Sequence, residues 1–278
     1  MTDAFLPERT LLRISGADAL AFLHALVTTD VNGLPEGVAR PGALLTPQGK
    51  ILFDFLIWRD SGGFLIETGS AAAEALAKRL TLYRLRAAVT IAIEVTGVTV
   101  FWNPATDGVT DARFAKAGVA LTRRPGHHGD GAEDAYHALR IAAGIAECGH
   151  DFSPQDAFPH DALLDLTDGL SFRKGCYVGQ EVVSRMQHRG TARRRVAVVS
   201  ADSALPASGT EMTANGKPLG TLGSVRGEQG LAIIRIDRAG DAMASATPIL
   251  AGDVPVRLAL PAWSGLVFPT GDGEETGA

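Results

Sequence analysis

S-F-R-K-G-C-Y-V-G-Q-E-V-V-S-R-M-Q-H-R-G, Ser171 to Gly190, places a cysteine, glycines at 175 and 179, a tyrosine, the amide of Gln180, the carboxylate of Glu181 and four cations within twenty residues. No other stretch carries so much chemistry so closely spaced. From Gly179 to His188 the pattern suits a short helix, with Val178, Val182, Val183 and Met186 turned to the core. Glu181, Arg185 and Arg189 follow one another at intervals of four on another side, with the acid ahead of the base, the favourable order for a pair. Gly190 suits a left-handed helix end. Cys176 then falls just before the helix, two residues after Lys174, where unpaired N–H groups and nearby cations are expected to favour a thiolate. Gly175 and Gly179 would let the backbone turn sharply or approach a ligand. The plainer alternative makes Cys176 a small buried hydrophobe and the glycines simple caps.

A thiol so placed suits metal or cluster ligation, attack on an electrophile, or redox sensing. Iron–sulfur clusters are usually held by four protein ligands. The chain has two cysteines, Cys148 and Cys176, so Cys176 can contribute to a cluster only if other ligands or a partner complete it.

Around this stretch the charge is uneven. Between Arg173 and Arg195 seven cations face one anion, Glu181, in a chain of net charge −5. This local basic patch, which ends in Arg193-Arg194-Arg195, points to an anionic ligand rather than to general polyanion binding. Overall acidity and 6% aromatic content argue against extended stacking on nucleic-acid bases, so no direct nucleic-acid partner is expected. The composition, 46% hydrophobic and 21% charged over 278 residues, is that of a globular protein of two or three modules. The first ten residues have no secretory pattern and no apolar run has spanning length, so a soluble protein of a reducing cytoplasm, with no membrane partner, is expected.

Along the chain, Leu11–Ser15 reads as a strand, and Asp18 as the cap of a helix bearing Leu20, Leu23, Leu26 and Val27. Val38–Leu45 and Ile51–Trp58 read as strands joined by T-P-Q-G-K, and Phe64–Thr68 as a third. Ser70 is expected to cap a helix to about Arg86, its apolar face running through Ala75, Leu76, Leu80 and Leu82. Val89–Val95 and Val98–Trp102 read as two more strands, giving an α+β pattern. Residues 103–134 are the least regular; His127, His128 and Asp130 sit in a glycine-rich loop, where adjacent histidines point apart and make a poor metal site. Ala135–Ala146 reads as a helix, and an acidic connector follows, with Asp151, Asp156, Asp161, Asp165 and Asp168 available to the basic patch. After Arg195, short strands with Gly or Pro turns suggest an antiparallel barrel.

K-G-C-Y-V-G-Q-E, Lys174 to Glu181, followed by S-R-M and R-G, resembles the signature of the YgfZ family of folate-binding proteins, whose mitochondrial counterparts serve iron–sulfur assembly. Gly16–Val31, Leu44–Phe55, Tyr83–Ile91, Arg140–Ile145 and Phe158–Asp165 are also similar to that family, so the resemblance covers most of residues 10–260. It implies a fold like the glycine-cleavage T-protein: an N-terminal module, 1–45 plus 132–194, carrying the motif; an inserted α+β module, 46–131; and a C-terminal β-barrel, 195–262; the polar, glycine-rich residues 263–278 lie outside the resemblance and are expected to be a disordered tail. It further implies tetrahydrofolate or its polyglutamate as ligand, and a role in assembling or repairing iron–sulfur clusters in client enzymes, including tRNA-modifying ones. Partners would be iron–sulfur carrier or client proteins. Cys176 would be the functional thiol and a ligand of a transient, shared cluster. Lys174, Tyr177, Gln180 and Glu181 would support it, while Arg185, Arg189, Gly175 and Gly179 would contact the anionic folate. The Arg193–Arg195 run would extend those contacts, and Cys148 would be incidental. The resemblance leaves an enzymatic alternative, a tetrahydrofolate-dependent aminomethyltransferase or demethylase, with Asp30 and Asp54 as candidate pterin acids.

Overall fold

The structure is a computed structural model that describes residues 2–269. The chain forms two compact units. The first takes residues up to Tyr136, then Pro154–Pro159 and Leu164–Arg189; the second takes His137–Ser153, His160–Leu163 and the chain from Gly190.

The first unit is built on a closed seven-stranded barrel. Its elements are β1 (Thr2–Ser15), α1 (Ala19–His24), β2 (Val38–Leu45), β3 (Ile51–Asp60), β4 (Gly63–Gly69), α2 (Ser70–Arg84), β5 (Thr90–Trp102), β6 (Val109–Asp111), α3 (Ala112–Lys116) and β7 (Leu121–Pro125). Around the barrel the order is β1-β4-β3-β2-β6-β7-β5. β6 pairs with β2 in parallel, while β1 pairs antiparallel with both β4 and β5. α4 (Glu133–Ala143) and α5 (Gln180–His188) follow in the chain. One core cluster lines the inside of α1 and α2 against the barrel, with Leu23, Val27, Leu44, Ile57, Leu76 and Leu80 at 0% exposure.

Several expectations change here. A boundary at 45/46 would fall between β2 and β3, which pair as a hairpin from Arg40↔Ile57 to Leu45↔Ile51, so residues on both sides build one barrel. Strand β1 starts nine residues before the expected Leu11, because pairing with β5 continues along the whole segment. The two strands expected at 89–102 are one strand with register irregularities. Ser70 is the first helical residue rather than the cap, and its hydroxyl shares a 2.6 Å hydrogen bond with Thr10. Asp18 stands at the N-cap of α1 as expected, but its side chain makes no capping bond and accepts from the Ala88 amide at 2.7 Å. In α2 the buried side chains are Ala73, Leu76 and Leu80, whereas Ala75 and Leu82 are exposed.

A charged network that no local pattern announces runs through the first unit. Glu67 on β4 accepts from Arg9 Nε at 2.8 Å and from Arg123 Nε at 2.8 Å, and Arg123 Nη2 also meets it. Arg123 continues to Asp111 Oδ2 at 3.2 Å, which Arg113 Nη2 meets at 2.8 Å. All five side chains are buried. Burial alone would raise the Glu67 carboxyl, but Arg123 and Arg9 hold it below its usual range. Asp111 is likewise held low against its burial by Arg113 and Arg123.

The second unit centres on a closed six-stranded barrel: β8 (Arg194–Ser200), β9 (Glu211–Ala214), β10 (Lys217–Arg226), β11 (Gln229–Arg235), β12 (Ile249–Ala251) and β13 (Val254–Ala259), in the order β10-β11-β8-β13-β12-β9. A helix not foreseen in the sequence, α6 (Ile236–Ala244), buries Ile236, Ala239 and Ala242 against it. Within this unit Arg140 is buried and donates to Asp151, Ser224 and the Ile145 carbonyl. Of the tail, residues 263–269 are described, including a 3-10 turn at Ala262–Ser264 whose Trp263 donates to the Ala143 carbonyl at 2.8 Å. The expected disorder beyond 269 falls outside the described residues.

Candidate functional site

The motif hangs from the first barrel by a polar stitch. Thr28 and Thr29 are fully buried. Thr28 Oγ1 donates to the Gly169 carbonyl at 2.6 Å and accepts from the Ala43 amide at 2.9 Å, while the Thr28 carbonyl receives Ser171 N at 3.0 Å. Thr29 Oγ1 donates to the Pro41 carbonyl at 2.6 Å. The loop entering the motif is thereby fixed to β2, and the Ser171 hydroxyl accepts from the Lys174 amide at 3.2 Å.

Lys174 is the keystone of the loop. Its ammonium donates to three backbone carbonyls, those of His24 and Val27 at 2.5 Å and of Thr29 at 3.1 Å. These oxygens lie at and just beyond the end of α1, and three N–H bonds use the full donor capacity of an ammonium. The Tyr177 ring lies 5.2 Å from the same nitrogen, a cation–π distance. Burial pushes the Lys174 pKa down to about 8, with Asp30 acting in the opposite sense. Tyr177 is itself buried, its hydroxyl has no hydrogen-bond partner among the described residues, and burial pushes it up to about 12.

The glycines have different roles. At Gly179 φ is +79°, and a Cβ would stand 2.5 Å from the Thr46 carbonyl oxygen and 3.0 Å from Gly49 Cα. Gly49, also at φ +79°, packs against Val182 in the same way. The β2–β3 turn and the start of α5 therefore meet backbone to backbone, so Gly179 serves packing rather than ligand approach. Gly179→Ala is expected to destabilise the protein by about 1–3 kcal/mol, from left-handed backbone strain alone, with the clash adding to it. Urea unfolding checks this, and unchanged stability would contradict the packing. Gly175 has open space where a side chain would stand.

Cys176 is exposed and has no side-chain hydrogen bond or ion pair among the described residues. α5 starts at Gln180 with Gly179 as its cap, so the thiol stands four residues ahead of the helix. The expected support of Cys176 by Lys174, Tyr177, Gln180 and Glu181 is not made through bonds to sulfur. Lys174 and Tyr177 shape the loop from below, Gln180 is half-buried at the first turn, and exposed Glu181 pairs with Arg185 at 2.6 Å. Val183 is the fully buried residue of α5, and Arg189 is exposed at its end.

Beside the loop opens a cleft of ≈ 430 Å³ lined by Asp30, Arg40, Asp168, Ser171, Phe172 and Arg173. Neither the Arg40 nor the Arg173 guanidinium has a hydrogen bond or ion pair among the described residues. Asp168 lies 3.6 Å from Lys116, and Asp30 3.6 Å from His24 Nδ1. His24 is pushed down by burial and then by the Lys174 charge, against the pull of Asp30. Arg40 and Phe172 escaped the sequence reading: Arg40 looks like an ordinary outward strand charge, and only the fold brings it to the motif. Asp54, the other acid considered, lies on β3, where its carbonyl accepts from Thr68.

In the second unit the basic run is largely engaged. Arg195 is buried and donates to the His160 carbonyl at 2.7 Å, and Arg194 stands 3.8 Å from Asp161. Both pin the 160–163 segment to β8 and are not free for a ligand; Arg193 is exposed. Cys148 is half-buried.

This architecture is that of the glycine-cleavage aminomethyltransferase T-proteins. A crystal structure of the glycine cleavage system aminomethyltransferase T from Bartonella henselae aligns with a TM-score of 0.69, covering 94% of this chain and 86% of that one; at 17% identity the likeness defines the fold. Residues 193–266 match the family model described as the CAF17 C-terminal beta-barrel domain. The mouse mitochondrial iron–sulfur cluster assembly factor IBA57 is 32% identical, with 83% of this chain and 76% of that protein aligned; its human counterpart is 32% identical over 82% and 76%. The chain belongs to the CAF17/IBA57 family.

Proposed function

We propose that this protein binds tetrahydrofolate and serves the assembly or repair of iron–sulfur clusters in client enzymes, tRNA-modifying enzymes among them, with Cys176 as its working thiol. The observation that carries the reading is the exposed, unpartnered Cys176 at the tip of a loop held by Lys174 on three carbonyls, in a chain whose relatives are named iron–sulfur cluster assembly factors. A single thiol supplies one ligand, so a cluster bound there is shared with a carrier or client. The likeness of Lys174–Glu181 to the YgfZ signature supports the same role.

The cleft beside the loop suits a folate. Phe172 offers an aromatic face to a planar pterin, Asp30 an acceptor for its N–H edge, and Arg40 and Arg173 two cations for the glutamate carboxylates. In this reading exposed Arg185 and Arg189, with the open backbone at Gly175, also contact the folate; the Arg185–Glu181 pair is solvent-exposed and weak enough to exchange. Cys148 and Cys176 form no disulfide, which suits a reducing compartment, and a cytoplasmic location belongs to this reading. The enzymatic alternative draws on the T-protein fold, and turnover of an aminomethyl-carrier protein with tetrahydrofolate would favour it.

The test is an anaerobic titration with tetrahydrofolate and, separately, with a cluster-loaded carrier, comparing wild type, Cys176→Ala and the double variant Arg40→Ala/Arg173→Ala. Cys176→Ala is expected to bind folate normally and to lose cluster uptake, and the arginine variant to do the reverse. Normal cluster uptake by Cys176→Ala would refute the role of the thiol.

A further inference from the structure

Glu8 on β1 is an acid that the site around Cys176 does not use. Both oxygens of its carboxylate are shut off from solvent, and neither has a hydrogen-bond donor among the described residues; the adjacent Arg9 bonds to Glu67 instead. A bare carboxylate so placed is strongly disfavoured unless a proton or a cation joins it. What faces it is a second acid. Glu133, the first residue of α4, stands within hydrogen-bond reach of Glu8. Two carboxylates are both acceptors, so only a proton or a cation between them makes a bond. Burial above all, with the Glu133 charge adding to it, pushes the Glu8 carboxyl up to about 7, against its own backbone amide and the Arg9 charge. His137 follows Glu133 by one turn of the same helix and is 4% exposed. One donor atom from each of Glu8, Glu133 and His137 lies within 4.8 Å of the other two. Among the described residues no other three acid, histidine or cysteine donors gather so closely.

We propose that Glu8, Glu133 and His137 bind a divalent transition-metal ion, with Zn2+ the best fit, and that the ion cross-links β1 to the first turn of α4. The donor set is two carboxylate oxygens and one imidazole nitrogen. The imidazole favours zinc-like ions over Mg2+ and Ca2+, which take oxygen ligands, and the absence of a thiolate disfavours Cu(I). Donors at about 2.0–2.2 Å from zinc stand roughly 3–4 Å from one another, so rotation of the three side chains closes the set. A shared proton needs only two acceptors; the third donor is what marks a cation site. The two carboxylate charges match the charge of the ion, so the site becomes neutral on loading. Glu133 and His137 are spaced i, i+4 on one helical face, a spacing at which two side chains ligate one ion together. Glu8 joins them only through the fold. His127 and Asp130, which neighbour each other in the chain, pair at 3.1 Å but are exposed. The inference does not depend on the folate or cluster reading.

The experiment uses the full chain carrying Cys176→Ala, so that the exposed thiol does not compete for zinc, after treatment with a chelator that is then removed. Calorimetric titration with Zn2+ is expected to show a single ion bound per chain. Glu8→Gln and His137→Ala should each weaken it at least about 100-fold, because loss even of a group that merely orients a ligand costs roughly 10–100-fold. Mg2+ and Ca2+ should bind far more weakly than Zn2+. Glu8→Gln keeps the side-chain shape and offers Glu133 an amide donor, so the metal-free variant should melt no lower than its parent at mildly alkaline pH. Zinc should raise the Tm of the parent and leave that of Glu8→Gln unchanged. Zinc bound equally well by Glu8→Gln and His137→Ala overturns the site, and Mg2+ or Ca2+ bound more tightly than zinc overturns the choice of ion. Absence of zinc binding to the parent also overturns the proposal, and a raised Tm of metal-free Glu8→Gln would then assign the pair to a shared proton.

Discussion

Replacing Glu67 with alanine is expected to remove about 3–5 kcal/mol of unfolding free energy. The carboxylate is fully buried between Arg9 and Arg123, so its loss takes an acid from two buried guanidiniums and leaves Arg123 to Asp111 at 3.2 Å. Domains of this size are stable by only about 5–15 kcal/mol, so the variant should sit near the limit of folding. Glu94→Ala is the control: it breaks the Arg13–Glu94 pair, also 2.8 Å long but with the acid 42% exposed, and should change stability by less than about 1 kcal/mol. Urea unfolding of the two variants decides the matter, and equal effects would mean that burial does not govern these pairs. The network also sets an acid limit. Because the folded-state values of Glu67 and Asp111 lie below the usual 4.5 and 3.8, the unfolded chain binds more protons in that range. Their contribution is complete above the ordinary values and is lost as pH falls through the folded ones. Glu67→Ala should flatten that acid slope.

Lys174→Met is expected to produce the second large effect. It keeps most of the apolar stem but leaves the carbonyls of His24, Val27 and Thr29 without their donor, at about 1–3 kcal/mol for the unsatisfied groups. The larger consequence is local: the three Lys174 bonds tie the loop to the end of α1, so the loop carrying Cys176 should loosen. Limited proteolysis should cut the variant within 172–176 much faster than wild type, and cluster uptake should fall as in Cys176→Ala. Lys174→Arg should restore neither, because a planar guanidinium cannot direct three N–H bonds to carbonyls arranged around a point charge. Wild-type resistance to cleavage in Lys174→Met would show that the loop is held by something else.

The lysine shows how far local reading goes. Its position two residues before the cysteine suggests electrostatic help to a thiolate, since sequence distance is the only distance a sequence displays. In the fold its head group turns to carbonyls about 150 positions away, and Tyr177 closes over it. Glycine 179 was legible as conformationally special but not as the partner of Gly49, which the β2–β3 turn brings from 130 positions upstream. Helical period alone puts Leu82 on the core face; in the fold the buried residues of α2 are Ala73, Leu76 and Leu80, while Leu82 in the last turn is exposed.

By itself the sequence determined the α+β class, the short helix at Gln180–His188, the C-terminal barrel and the motif around Cys176, because strand alternation, helical period, glycine turns and a dense local signature are all short-range. Tertiary structure alone decided that β1 to β7 close into one barrel, that Arg9, Glu67, Asp111, Arg113 and Arg123 meet in one buried network, and that Arg40 joins Arg173 at one cleft. Each of these depends on residues brought together by strand pairing across tens of positions, where charge and contact are set by burial rather than by neighbours in the chain. The cysteine could be found by reading; the lysine, threonines and glycines that hold its loop in place could be understood only once folded.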